Sequence, residues 1–441
     1  MKRKPLILRA FWTFLFALCA NSGVLIAKNT AWLVVSVVLF FAVNILAGVP
    51  GRYVKKKWLK FLCHGLECLY IFTASVVAIS FYHILILIIM PSEGEGILTS
   101  LLVSYIAHFI LFWNGIICVY LTSYQLGIKH RVIGAVCGPI PILHLFALRS
   151  ILKIVTKETE LEKAKERQNA EREKDAVCKT KYPVLLVHGV FFRDSKLINY
   201  WGRIPEELER NGATIFYGNH QSALSVKDSA GELCQRIKEI VKETGCEKVN
   251  VIAHSKGGLD TRYAIAKLDA APYIASLTTV NTPHRGCNFA DDLLSKIPEV
   301  IQRGVASAYN SAARKLGDTS PDFMAAVKDL TASACSVFDK ELTAPEEIYC
   351  QSIGSVLKGA GGGKFPLNFT HPMVKKHDGE NDGLVSVDSF EFGESLKIIT
   401  PPENRGISHA DIIDLNRENI DGFDVRELYV ELVSDLKIRG L

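Results

Sequence analysis

Four long apolar runs occupy the first third of the chain and limit most strongly what it can fold into. None of them contains Asp, Glu, Lys or Arg, and they lie at residues 10–27, 31–49, 68–90 and 97–121. Each is close to the roughly 20 residues that an α-helix needs to cross a bilayer. The sequence therefore predicts four transmembrane helices and an integral, multi-pass protein of the cell membrane.

Basic residues flank these runs unevenly. Lys and Arg precede the first run at residues 2–4 and follow the second at residues 52–60, whereas the connection at 91–96 has two Glu and no basic residue. Loops that remain in the cytoplasm carry the excess of Lys and Arg. We therefore expect a cytoplasmic N-terminus and, after four spans, a cytoplasmic location for the remainder of the chain.

The next apolar segment, residues 132–148, has two interpretations. It is short, and Gly138-Pro139-Ile140-Pro141 would break a helix in its middle. It is either a fifth span or a re-entrant or interfacial segment. Basic residues on both sides favour the second interpretation, because they place both ends on the same side of the membrane.

A charged stretch separates this region from the rest of the chain. Residues 158–175 carry acids and bases at spacings of three, which support a solvated helix. The predicted organisation is a transmembrane region at 1–148, a charged helical linker at 149–178 and a separate domain at 179–441.

Composition excludes some classes of partner. Lys and Arg number 51 and Asp and Glu 46, and this small excess lies partly in the loops predicted to be cytoplasmic. Nothing in it indicates a nucleic-acid partner. The 11 Cys form no CxxC or Cys/His cluster, so they predict no metal site. No protein partner can be deduced.

From residue 179, apolar segments typical of strands alternate with helical ones. The predicted strands are residues 183–188, 213–217, 249–252, 274–280, 347–354 and 396–400. This alternation predicts an α/β domain with a mostly parallel sheet and helices on both faces. Active groups are then expected at the carboxyl ends of the strands.

One strand leads into a candidate nucleophile. The turn Ala253-His254-Ser255-Lys256-Gly257 lies between a β-branched run and a helical segment. A sharp strand-to-helix turn needs small residues at the positions two before and two after the nucleophile, and it exposes the Ser hydroxyl above the sheet. The sequence predicts that Ser255 is a nucleophile; the alternative is a serine that only caps the helix.

Acyl transfer also needs two backbone N–H donors for the oxyanion. One usually belongs to the residue after the nucleophile and the other to a loop after an early strand. The candidates are the amides of Lys256 and of Val190, which follows His188-Gly189 at the end of the first predicted strand.

Four blocks of sequence resemble a known family. Residues 182–189, 248–263, 275–286 and 381–386 are similar, in the same order, to the true lipases of the Pseudomonas/Burkholderia group in the α/β-hydrolase superfamily. The resemblance covers the chain from about residue 182 to its end. It implies the α/β-hydrolase fold and a serine carboxylic ester hydrolase similar to triacylglycerol lipases. The apolar N-terminal region has no counterpart in those secreted enzymes.

The resemblance implies a catalytic triad of Ser255, Asp382 and His409. The chain order of nucleophile, acid and base agrees with this fold, and His409 is the only His after His377. Three other acids are alternatives for the acid position: Asp378, Asp388 and Asp411.

Two departures from the family bear on ligands. Lys256 replaces the usual Gln after the nucleophile, which predicts a cation beside the site and a preference for anionic or phosphate-bearing lipids. The resemblance also implies a structural Ca²⁺ held by two Asp, of which Asp411 matches one. Residues 351–366, where the second is expected, contain no acid, and Ca²⁺ needs several oxygen ligands. We expect no required cofactor and no calcium requirement.

An insertion at about residues 290–340 has two amphipathic helical segments, 290–303 with an interruption at Pro298, and 322–338. The resemblance places a lid there. The alternative is a packed pair of accessory helices.

These observations predict a membrane-anchored serine lipase or esterase that hydrolyses lipid carboxylic esters through an acyl-Ser255 intermediate. Its substrates would be acylglycerols or phospholipids of the membrane. A phospholipase or a lipid acyltransferase with the same triad is the main alternative. A non-catalytic membrane scaffold with a hydrolase-like domain is the other, and the complete Ser, Asp and His set argues against it.

Overall fold

The computed structural model describes residues 3–22, 29, 31–89, 94–140, 142–190, 199–400 and 405–441. The chain divides into two compact units, Met1–Glu171 and Arg172–Leu441. Each unit is described by itself below.

The described part of the first unit is helical. Its helices are α1 (Arg3–Ala20), α2 (Ala31–Leu46), α3 (Lys57–Ile89), α4 (Gly94–Thr122), α5 (Gly127–Cys137) and α6 (Leu143–Arg172). Two stretches, Lys57–Ile89 and Ile97–Thr122, are long and apolar enough to cross a membrane on length and composition. The apolar helices over the first two predicted spans are shorter, at Leu6–Ala20 and Ala31–Leu46. Residues 23–28 and 90, at the ends of two predicted spans, lie outside the described residues.

The segment at 132–148 is interrupted where the sequence predicts. α5 ends at Cys137, next to Gly138, and α6 begins at Leu143. At a rise of about 1.5 Å per residue, a helix as short as α5 is about half as long as the hydrocarbon core is thick. This break fits both interpretations, a fifth span in two halves and a re-entrant or interfacial segment.

The charged segment is helical, but its predicted solvated character is wrong. Glu158 is 2 % exposed and accepts hydrogen bonds from Ser123 Oγ at 2.5 Å and Tyr124 N at 2.8 Å. Glu166, also buried, accepts from Lys55 N at 2.7 Å. The two carboxylates therefore supply acceptors to backbone N–H groups of neighbouring loops.

The second unit contains a parallel sheet. Its strands are β1 (Val184–Val187), β2 (Ile215–Tyr217), β3 (Val249–His254), β4 (Ile274–Val280), β5 (Tyr349–Ser355) and β6 (Leu396–Ile399). The order across the sheet is β2-β1-β3-β4-β5-β6, and every neighbouring pair is parallel. The predicted α/β architecture is confirmed.

Helices cover both faces of this sheet because alternate strand residues point to opposite sides. The helices of the unit are α7 (Ile204–Arg210), α8 (Val226–Thr244), α9 (Lys256–Lys267), α10 (Asn288–Lys296), α11 (Glu299–Lys315), α12 (Phe323–Lys328), α13 (Ala332–Glu341), α14 (Leu367–Asp378) and α15 (Val425–Ile438). Val184 and Leu186 of β1 pack in the core that includes α7 and α15, whereas Leu185 and Val187 pack in the core with α8 and α9.

The insertion at 290–340 is helical and consists of α10 to α13. The second predicted segment, 322–338, is interrupted between Lys328 and Ala332 and forms two helices. α10 ends at Lys296 and α11 begins at Glu299, so the predicted interruption at Pro298 is present. Ser255 directly follows β3, and His409 comes after β6. Both therefore lie beyond the carboxyl ends of strands, where α/β sheets hold their ligands.

Candidate active site

Ser255 lies at a strained turn between β3 and α9. Its φ of 55° and ψ of −130° are in a region that a non-glycine residue adopts only when its surroundings enforce it. A Cβ on Gly257 would lie 2.5 Å from the carbonyl oxygen of His188, which explains the small residue two positions after Ser255. The side chain is therefore presented by a turn of the kind that exposes a nucleophile.

Asp382 and His409 form a hydrogen-bonded pair. His409 Nδ1 lies 2.6 Å from Asp382 Oδ2, and the Asp382 carboxylate is fully buried. Its Oδ1 accepts from the backbone N–H groups of Leu384 at 2.9 Å and Val385 at 2.8 Å. Asn281 Nδ2 donates to Oδ2 at 2.6 Å. These four contacts fix the orientation of the carboxylate and, through it, of the imidazole.

His409 lies beside the turn that carries Ser255. The rings of His409 and His254 have their centroids 4.5 Å apart, and His254 is the residue before Ser255. Burial, with a smaller contribution from His409, holds the pKa of His254 well below its ordinary value. A neutral His254 can accept a hydrogen bond from the Tyr200 hydroxyl, whose oxygen is 2.7 Å from Nδ1.

The chain is similar to known esterases and lipases. Residues 185–311 match a family described as "Putative serine esterase (DUF676)". A triacylglycerol lipase of Pseudarthrobacter phenanthrenivorans is 30% identical over 281 residues, which cover 50% of this chain and 86% of the relative. One of Vibrio cholerae is 32% identical over 286 residues, covering 59% of this chain and 89% of the relative.

The chain belongs to the triacylglycerol lipase family. A third member, from Burkholderia plantarii, is 30% identical over 281 residues, which cover 50% of this chain and 77% of the relative. Among solved structures, Staphylococcus hyicus lipase superimposes with a TM-score of 0.46 at 18% identity, over 59% of this chain and 97% of that one. Membership confirms the predicted enzyme class, a carboxylic ester hydrolase with an α/β-hydrolase fold.

Within this lipase fold, the alternative acids have other contacts. Asp378 accepts hydrogen bonds from the backbone N–H groups of Asn288 and Phe289 at the start of α10. Asp388 lies in a short helical turn, where its carbonyl accepts from Arg285. Asp382 is the acid that the structure brings to His409.

The predicted cation beside the site is wrong. The side chain of Lys256 is 1 % exposed and its Nζ lies 2.7 Å from Asp260 Oδ1 and 2.7 Å from Ser229 Oγ. Its backbone begins α9, so the side chain runs along the helix to the carboxylate one turn later. Lys256 therefore gives no reason to expect anionic lipids as preferred substrates.

The residues around Asp411 do not fit the calcium ion that the family implies. The Asp411 carboxylate is buried and accepts from Ser408 N at 3.0 Å and Ser408 Oγ at 2.7 Å. Arg405 Nη1 lies 3.2 Å from its Oδ2, and Arg405 Nη2 lies 3.0 Å from Glu418 Oε2. A guanidinium already provides the positive charge, and it would repel a divalent cation.

Sequence reasoning missed two residues that contact this site. Asn281 donates to Asp382 and also to Ser355 Oγ at 2.8 Å. The Tyr200 hydroxyl accepts from Gly189 N at 3.1 Å while it contacts His254. Asn281 lies in the block 275–286, which resembles the lipase family, and this position could have indicated its role. No sequence pattern indicates Tyr200.

Proposed function

We propose that this protein is a membrane-anchored serine lipase that cleaves carboxylic esters of lipids through an acyl-Ser255 intermediate. The observation that carries the proposal is the 2.6 Å contact between His409 Nδ1 and Asp382 Oδ2, beside the strained turn of Ser255. Family membership supports the reaction class.

His409 Nε2 removes the proton of Ser255 Oγ as that oxygen attacks the ester carbon. The oxyanion is stabilised by the backbone N–H groups of Lys256 and Val190. The bond to the alcohol oxygen then breaks, and His409 donates its proton to that oxygen. Water, deprotonated by His409, releases the acid and restores Ser255, while Asp382 holds the tautomer of His409 and offsets its charge.

Apolar surface near the insertion supports a lipid substrate. On α11, Val300, Ile301 and Val305 are each more than half exposed. An exposed apolar helix face within a catalytic unit is typical of a surface that contacts lipid or another apolar partner. The proposed lid is α10 to α13, with the α11 face meeting lipid as an acyl chain enters.

The helices of the first unit support membrane anchoring. Two of them are long and apolar enough to cross a bilayer, and large side chains such as Phe81, Ile88 and Leu102 are mostly exposed. This surface is unfavourable in water and suited to hydrocarbon. The proposed arrangement is four spans with the catalytic unit in the cytoplasm, following the distribution of basic loops.

The side of the membrane on which the catalytic unit lies is tested with single cysteines at residues 173–175. Intact cells are labelled with a membrane-impermeant maleimide. The proposal predicts labelling only after the cells are permeabilised. Ready labelling of intact cells would place the catalytic unit outside.

The reaction is tested with purified protein and a short p-nitrophenyl ester. Ser255→Ala should lower kcat by about 10⁴–10⁶-fold, the loss found when a triad nucleophile is removed. Ser395→Ala, which changes an exposed serine of the same unit outside the proposed lid, is the matched control and should retain full turnover. Equal turnover by Ser255→Ala and wild type would refute the mechanism.

A further inference from the structure

A buried charged network links the two elements that carry the proposed oxyanion donors. Lys256 and Asp260 are one helical turn apart on α9, and both side chains are 1 % exposed. Burying an ion pair costs desolvation free energy, and the attraction between the two charges scarcely offsets that cost. The pair therefore contributes little net stability, and a different role is needed to account for it.

The carboxylate of Asp260 connects two elements of the site. Its Oδ1 contacts Lys256 Nζ at 2.7 Å, and its Oδ2 lies 3.5 Å from His220 Nε2. The His220 ring stacks on the His188 ring, with centroids 4.1 Å apart and planes 2° from parallel. A continuous line of contacts thus joins the start of α9 to the residue at the end of β1.

His188 holds the peptide that carries one donor. Its Nδ1 lies 2.9 Å from the Gly189 carbonyl oxygen and its Nε2 lies 3.0 Å from that of His220. In a planar trans peptide, the carbonyl and the N–H of the next residue point in opposite directions. Fixing the Gly189 carbonyl therefore fixes the direction of the Val190 N–H.

The other donor peptide is fixed in the same way. The Ser255 carbonyl accepts from the Gly258 N–H at 3.1 Å, so the Lys256 N–H points away from the helix interior. The Lys256 side chain also bonds Ser229 Oγ and reaches the Ser225 carbonyl at 3.5 Å. It therefore ties the first turn of α9 to the start of α8.

Charge states agree with a network centred on one carboxylate. Burial raises the pKa of Asp260 to about 6, although Lys256 acts in the opposite direction. Burial lowers the pKa of His188 to about 3, with a further contribution from His220. Near neutral pH, Asp260 is thus ionised and His188 neutral. The single N–H of His188 donates to one of the two carbonyls, so holding the Gly189 carbonyl requires the tautomer protonated on Nδ1.

We propose that Asp260, acting through Lys256 on one side and His220 and His188 on the other, is a positioning residue that aligns both oxyanion donors, Lys256 N–H and Val190 N–H. This inference rests on the proposed function. The network touches no substrate and acts only by holding two peptide planes. A displacement of about 1 Å in such donors can cost about 100-fold in rate.

The test uses the full-length protein and the double variant Lys256→Met/Asp260→Leu. Replacing a buried ion pair with apolar residues of similar volume is often neutral for stability, so this variant is expected to fold with a wild-type Tm. Its kcat on a short soluble ester should fall about 10–100-fold, with little change in KM. Affinity for a trifluoromethyl ketone, whose adduct carries an oxyanion, should fall in parallel.

Two further variants sharpen the test. Lys256→Gln/Asp260→Asn keeps hydrogen-bonding groups without charge and should recover most of kcat and of inhibitor affinity. Lys267→Met removes an exposed ion pair with Glu341 at the other end of α9 and should leave both unchanged.

A folded Lys256→Met/Asp260→Leu variant with wild-type kcat and inhibitor affinity would overturn the inference. If that variant does not fold, His220→Phe decides, because it keeps a ring against His188 but removes the contact with Asp260. A kcat and an inhibitor affinity about 10-fold below wild type support the inference, and wild-type values of both contradict it. Failure of the proposed function is distinguishable, because Ser255→Ala would then retain turnover whatever the network variants do.

Discussion

Asp382 Oδ2 lies 2.6 Å from Nδ1 of His409, a residue 27 positions later in the chain. The backbone supports the same pair, since His409 N donates to the Asp382 carbonyl at 2.9 Å. Two contacts between the same residues, one through side chains and one through the backbone, leave the imidazole little freedom to turn. Nδ1 is therefore occupied, and Nε2 is the nitrogen that the proposed mechanism uses.

Asp382→Asn should lower kcat by about 10⁴-fold, because an amide neither stabilises the imidazolium nor enforces the required tautomer. Asp388→Asn, which changes an acid of the neighbouring turn, is the control and should have a mild effect. Both are measured as ester turnover at constant pH. The reverse ranking would mean that another carboxylate serves His409.

The environment of Asp411 leads to a prediction about metals. Incubation with EDTA should leave ester hydrolysis unchanged, because Arg405 already neutralises Asp411 and Glu418. Turnover is measured before and after dialysis against the chelator. Inhibition that added Ca²⁺ reverses would show that a metal holds the His409 loop after all.

The raised pKa of Asp260 predicts how stability depends on pH. Its folded-state value of about 6 lies above the ordinary 3.8, so the folded protein holds a proton that the unfolded chain releases within this window. That contribution to stability is present below about pH 4 and is lost as pH rises through 6. The difference in Tm between wild type and Asp260→Asn should therefore decrease over that range.

Taking the Tm difference between wild type and Asp260→Asn removes most of the pH dependence that comes from other groups. His188 gives the opposite slope, because its pKa is lowered, mainly by burial. Both proteins share that burial, so most of this slope cancels. A Tm difference that stays constant from pH 4 to 7, or rises, would contradict the raised pKa.

The second unit should act alone on dissolved substrates. A fragment starting at Arg172 keeps the ion pairs of Arg172 with Glu427 at 2.6 Å and Glu207 at 3.6 Å. It should hydrolyse short soluble esters with the kcat of the full-length protein. On vesicle lipids it should be slower, because it lacks the anchor that keeps the enzyme close to its substrate.

The matched control is the full-length protein reconstituted in vesicles of the same lipid. Equal rates of the fragment and the reconstituted protein on vesicle lipid would rule out a role of anchoring in substrate encounter.

The strands and the strained turn at Ser255 were predictable because their signals are local. β4 was predicted with its observed bounds, Ile274–Val280, because four of its seven residues are β-branched and Asn281-Thr282-Pro283 ends the strand. The turn at Ser255 was predictable because its backbone geometry requires small neighbours at fixed positions.

Side-chain direction and burial depended on packing that the sequence did not reveal. Lys256 follows Ser255 in the chain, yet its side chain contacts Asp260. The i, i+4 spacing of Lys256 and Asp260 was a usable signal. Asn281 contacts Asp382 across 101 positions, and no local pattern predicts such a contact. Glu158 is charged like the rest of its segment and is nevertheless buried by the loop at Ser123.

The most direct test of the central claim is labelling of the purified full-length protein with a fluorophosphonate, followed by peptide mass spectrometry. A serine activated by His409 and Asp382 should form one adduct per chain, on the peptide that contains Ser255. Ser255→Ala should remain unlabelled, and excess short ester should slow the labelling of wild type. Labelling of Ser255→Ala at the wild-type rate, or an adduct on another residue, would contradict the assignment of Ser255 as the nucleophile.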